Sequence, residues 1–172
     1  MRGLRFLTLL ACALTSAAQT TGARTDTQTY LNQQLLKIGA ITKVDVVKEA
    51  LKAGAKKHCR DQGGNTPLHL AAAKGNLGVV VELLEQRASV KKVNKKGWTP
   101  LHGAAFFGYK DVIEKLLEAG ADSRTLTKDG KTAFSLTLEE QHSEASAVLA
   151  KHIHPGKPKK PEDDDDDDKD EL

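Results

Sequence analysis

The residues best equipped for chemistry are two histidines 33 positions apart, His69 and His102, each closing a Thr-Pro-Leu-His tetrapeptide at 66–69 and 99–102. An imidazole can take a proton near neutral pH, ligate a metal, or tie a loop by hydrogen bonds. Base catalysis needs a nucleophile and an orienting group within reach, and no such constellation accompanies the two histidines. His152 and His154 flank Ile153 with no cysteine or third ligand nearby, so no zinc site is expected. The duplicated histidine is therefore read as structural; no enzyme, catalytic residue or cofactor is expected.

The segments that hold these histidines repeat with them. Thr66-Pro67-Leu68-His69 and Ala71-Ala72 are followed by Gly75, just as Thr99-Pro100-Leu101-His102 and Ala104-Ala105 are followed by Gly108. The same offset carries Val79, Leu83, Leu84 and Ala88 onto Val112, Leu116, Leu117 and Ala121, and puts Thr132-Ala133-Phe134-Ser135 where a third motif would fall. One period upstream, Val46, Leu51, Gly54 and Ala55 keep the register, although Gln33-Gln34-Leu35-Leu36 has lost the motif. A fixed period of this length marks a solenoid. Threonine before proline starts a helix, because the hydroxyl caps it and the fixed proline φ suits its first turn. Glycine then stops it at no steric cost. Val112, Ile113, Leu116 and Leu117 give a second, amphipathic helix facing a core.

The pattern Asp61-x-x-Gly64-x-Thr66-Pro67-Leu68-His69-x-Ala71-Ala72-x-x-Gly75, then Val79 and Leu83-Leu84, resembles the ankyrin repeat over about residues 28–153. The resemblance implies an all-α ankyrin-repeat solenoid of about four helix-turn-helix units flanked by disordered termini. The domain is expected over 30–154, with units at 30–60, 61–93, 94–126 and 127–153. Arg87 where Gly54 and Gly120 stand, and Asn94 and Thr127 where Asp61 stands, are departures expected to weaken individual turns. The family also implies that the motif histidine ties neighbouring loops together. Its partner contacts commonly lie in the turn before Thr-Pro and just after the Ala-Ala pair. Here those positions hold Lys95, Lys96, Trp98, Phe106 and Phe107, with Tyr109 close by; in the second unit they hold Gln62, Gly63, Asn65, Ala73 and Lys74. Four aromatic residues within 98–109, rimmed by lysine, have the composition of an interface centre. The alternative is that the rings pack as core between inner helices.

The ends of the chain carry other signals. Basic Met1 to Arg5, the apolar run Phe6 to Leu14 and the small residues Ser16-Ala17-Ala18 read as a secretory signal peptide over 1–18. That run is shorter than the roughly 20 residues a bilayer span needs. Residues 19–29 are expected to be a disordered lead-in. Without Cys12, Cys59 has no partner for an intramolecular disulfide, and shielding at a unit junction is the favoured reading. Residues 155–172 read as a disordered Pro/Lys linker, the block Asp163, Asp164, Asp165, Asp166, Asp167 and Asp168, and the ending Lys169, Asp170, Glu171 and Leu172. That ending resembles the retrieval signal of soluble endoplasmic reticulum proteins.

Charge divides along the chain. Residues 19–156 hold 20 Lys and Arg against 14 Asp and Glu, a net +6, while 157–172 hold 4 against 9, a net −5. The expectation is a non-enzymatic protein-binding scaffold or adaptor of the endoplasmic reticulum lumen that uses the concave groove of the solenoid, with another secretory-pathway protein and a KDEL-type retrieval receptor as partners. No nucleic acid partner and no membrane span are expected. The alternative is a low-affinity calcium-binding or chaperone-associated lumenal protein acting through its acidic tail. The undivided aspartates lack EF-hand spacing, so such calcium binding would be weak.

Overall fold

Seven α-helices and no β-strand are found among the described residues: α1 Val44–Lys52, α2 Pro67–Ala73, α3 Leu77–Glu85, α4 Pro100–Phe106, α5 Lys110–Glu118, α6 Ala133–Glu139 and α7 Ser143–His152. The computed structural model describes residues 32, 33, 35, 36 and 44–153. The segments read above as signal peptide (1–18), lead-in (19–29), and linker, aspartate block and retrieval signal (155–172) lie outside them.

Helices α2 and α3, α4 and α5, and α6 and α7 pack as pairs. Across the pairs, α2, α4 and α6 form an inner row, and α1, α3, α5 and α7 form an outer one. The loops between pairs are stitched together by main-chain hydrogen bonds, Lys95 N–H to Gly63 O at 3.0 Å and Lys128 N–H to Lys96 O at 3.2 Å. The layout is a helical solenoid, as the period requires.

Each inner helix starts on an extended threonine, Thr66, Thr99 or Thr132, and proline fills the first helical position in α2 and α4. The ends share one device. Gly75 at φ 70° lets its N–H reach Ala72 O at 3.2 Å while Asn76 N–H reaches Ala71 O at 3.0 Å, which satisfies two helix carbonyls. Gln141, one period after Gly108, takes φ 60° and makes the same pair of bonds. A Cβ on Gly75 would lie 2.6 Å from the Tyr109 ring, and one on Gly108 would lie 2.5 Å from the His142 ring. Among the described residues no further helix pair sets a ring against Gln141, so a side chain fits there.

The departures leave the turns intact. Arg87 takes φ 59° and keeps both bonds, at 2.8 Å from its N–H to Leu84 O and 2.9 Å from Ala88 N–H to Leu83 O. Asp61 Oδ1 accepts Asn65 N–H at 2.8 Å, Asn94 Oδ1 accepts Trp98 N–H at 3.0 Å, and Thr127 Oγ1 accepts Lys131 N–H at 3.1 Å. The position needs a side-chain oxygen on a short stem, and all three residues supply one.

The core repeats in the same register. Leu35, Leu68 and Leu101 are fully buried, as are Val47, Val80 and Ile113, and Leu83, Leu116 and Leu149. Each contributes roughly 1.5–3 kcal/mol by burial. Leu35 thus holds the inner-helix position of the first unit although the motif around it is gone. Cys59 is half-buried at that junction, its Sγ–H directed at Asn32 O at 3.7 Å. Burial pushes its pKa up to about 11, so the thiol stays protonated at neutral pH.

Candidate functional site

The threonine caps fix the histidines. Thr66 N–H donates to His69 Nδ1 at 3.2 Å and the Thr66 hydroxyl lies 2.8 Å from the same nitrogen. A main-chain N–H can only donate, so Nδ1 is the acceptor and Nε2 carries the proton, which goes to Trp98 O at 2.9 Å. His102 repeats the arrangement with Thr99, and its Nε2–H reaches Thr125 O at 3.0 Å. Burial lowers both pKa values to about 4. With both ring nitrogens committed, each histidine is a neutral tie between a helix start and the following loop. In the last pair Ser135 closes the cap locally, receiving Thr132 N–H at 3.0 Å and returning its own N–H to Thr132 Oγ1 at 3.2 Å.

The tie at Trp98 O anchors the start of a row of rings. Asn94 N–H also donates to Trp98 O, at 2.9 Å, and the Asn94 side chain holds the N–H groups of Lys96 and Trp98. From that turn the Trp98 ring projects to Phe106, the last residue of α4, with centroids 5.4 Å apart and planes at 50°. Phe106 meets Phe107 edge to face at 5.0 Å, and Phe107 lies 6.2 Å from Tyr109. Lys96 Nζ stands 5.9 Å from the Trp98 centroid. Five of the six residues singled out in the sequence thus form one contiguous group. Lys95 is exposed beside them, with its amide bound to Gly63 O.

None of these rings belongs to the buried core. Phe107 is 49% and Tyr109 37% exposed, and Trp98 and Phe106 are half-buried. Tyr109 is seated on Gly75, so the last ring of the row rests on the previous unit. One contributor went unnoticed in the sequence: His142 lies over Gly108, and its Nε2–H donates to Phe106 O at 3.0 Å, bracing the middle of the row from the next unit. The signal was its register with Asn76 and Tyr109, one residue after each helix-ending position. Among the described residues no three His, Cys, Asp or Glu side chains form a group that could hold a metal ion. No described helix is long and apolar enough to cross a membrane.

Comparison with known sequences agrees with this architecture. The family profile described as ankyrin repeats (3 copies) matches residues 36–127, more than half of the chain. Two ankyrin repeat proteins of Rickettsia felis are each 38% identical over 50 residues, a stretch that makes up 29% of this chain and 79% and 76% of theirs. The Neurogenic locus Notch protein of Drosophila melanogaster is 45% identical over 47 residues, which is 27% of this chain but 2% of that protein's length.

Proposed function

The chain belongs to the ankyrin repeat family, a family of protein-interaction modules, and from that premise we propose that it is a non-enzymatic binding scaffold. Its site is the row Trp98, Phe106, Phe107 and Tyr109, edged by Lys95 and Lys96. One observation carries the reading: four contiguous rings lie at the surface where the second unit has Asn65, Ala73, Lys74 and Asn76. Rings of this kind supply large contact area at low entropic cost, and interface hot spots are enriched in them.

The test is site-specific photocross-linking from position 107 and, as the matched control, position 74. Partner adducts are expected from 107 and not from 74. Equal yields from both would remove the site.

The lumenal placement in this proposal rests on the leader at 1–18 and on Lys169, Asp170, Glu171 and Leu172, with a retrieval receptor as the second partner. Deleting 169–172 is expected to release the protein into the medium; a truncated protein that stays in the cytosol contradicts the placement. The six aspartates favour a subsidiary role in weak calcium binding. A calcium titration should show several weak sites that vanish when Asp163 to Asp168 are removed.

A further inference from the structure

The loops at the solenoid's edge carry cations that no described carboxylate pairs with. Residues 89–99 hold Lys91, Lys92, Lys95 and Lys96 and no acid. Lys128 sits one period after Lys95, and main-chain bonds from Lys95 N–H to Gly63 O and from Lys128 N–H to Lys96 O stack the loops. Other basic residues in the last of these loops are paired, Arg124 with Asp122 at 3.1 Å and Lys131 with Glu139 at 2.6 Å. None of these five lysines forms an ion pair among the described residues.

The last described helix ends beside that edge. Ser123 Oγ–H donates to His152 O at 3.2 Å, which fixes the end of α7 beside the loop that contains Lys128. The nine residues from His154 to Glu162 can span at most about 30 Å. Neighbouring units in such a stack are about 10 Å apart, so the lysines of both loops are within reach. The segment beyond that spacer carries six consecutive aspartates.

We infer that Asp163 to Asp168 dock on the lysine edge formed by Lys95, Lys96 and Lys128, covering the lysine flank of the aromatic row within the same molecule. The contact is electrostatic and extended, with carboxylates facing ammonium groups across two stacked loops. It draws the tail along Lys96, whose ammonium also faces the Trp98 ring. A partner that uses this row must displace the tail, so the tail lowers the partner's apparent affinity. Only that consequence rests on the proposed function; the contact itself does not.

Zero-length carbodiimide cross-linking of the full chain, mapped by mass spectrometry, tests the contact without a partner. Intramolecular Lys–Asp links are expected from Lys95, Lys96 and Lys128 to residues 163–168. Their yield should fall about tenfold or more as the Debye length shrinks from ~30 Å near 0.01 M salt to ~3 Å near 1 M. Links spread evenly over Lys48, Lys52, Lys110 and Lys115 would overturn the inference. So would links that form between chains in proportion to protein concentration, since a second copy would then be the occupant. Trp98, the single tryptophan, gives an independent readout. Its emission should respond to salt in the unmodified chain and lose that response when all six aspartates are changed, Asp163→Asn through Asp168→Asn. The same response in both chains would also overturn the inference.

Discussion

The second and third units share their mechanics and differ in their surfaces. Both start an inner helix on threonine and proline, bury a leucine, tie the next loop through a neutral histidine and end on a left-handed glycine. At the four positions where the second unit has Asn65, Ala73, Lys74 and Asn76, the third has Trp98, Phe106, Phe107 and Tyr109. What repeats is what the backbone and core require. What breaks the repeat is a row of rings outside the buried core, and that is where binding is expected.

Acid should strike the shared part hardest. Burial holds the folded His69 and His102 near pKa 4 against an ordinary 6.5, so both are neutral in the fold and protonate first in the unfolded chain. Their contribution is fully present above pH 6.5 and is lost as pH falls from 6.5 towards 4. Each is worth on the order of 3 kcal/mol. Thermal melts across that range should fall steeply, and His69→Gln or His102→Gln should each flatten the profile by a similar amount.

Leu116→Ala opens a cavity between packed helices and should cost about 2–5 kcal/mol in denaturant unfolding. Gly75→Ala combines the strain of a positive φ with a Cβ pressed into the Tyr109 ring, for about 1–3 kcal/mol. It also couples the two units, because the displaced ring belongs to the row; changed Tyr109 ring resonances would show the coupling. Arg87→Gly is the smallest effect and has the opposite sign. The residue sits at φ 59°, and a Cβ added at its counterparts Gly54 and Gly120 would meet nothing within 4 Å. Removing that backbone strain should stabilise by up to about 1 kcal/mol.

The fold was legible because its determinants are local or strictly periodic. Thr66-Pro67 announces a helix start, and Val79 with Leu83 announces a buried face, within a few residues. Apart from the loop ties of His69 and His102, which the family resemblance implies, contacts that depend on stacking one unit on the next were not legible in the local sequence. Nothing near His142 says that its ring covers Gly108 and holds the Phe106 carbonyl, and nothing near Glu82 says that its buried carboxylate takes Lys48 from the preceding unit at 3.2 Å. Arg87, Asn94 and Thr127 differ from the repeat in residue type, which suggests weaker turns, whereas the backbone responds to a φ value or an acceptor oxygen. For the site, the sequence marked a cluster of rings and left open whether they were core. Their surface position goes with the turn between α4 and α5: Phe106 ends α4, Phe107 follows it, and Tyr109 stands just before α5.

The claim that the repeat-breaking row binds while the repeated parts fold is tested most directly by capture from a lumenal fraction. The unmodified chain is compared with the double variant Trp98→Ala, Phe106→Ala and with the matched change Asn65→Ala, Lys74→Ala, with circular dichroism of each. The account predicts that the first variant loses its captured protein while keeping its helical spectrum, and that the second keeps both. Capture undiminished in the first variant, or helicity lost with it, would contradict the account.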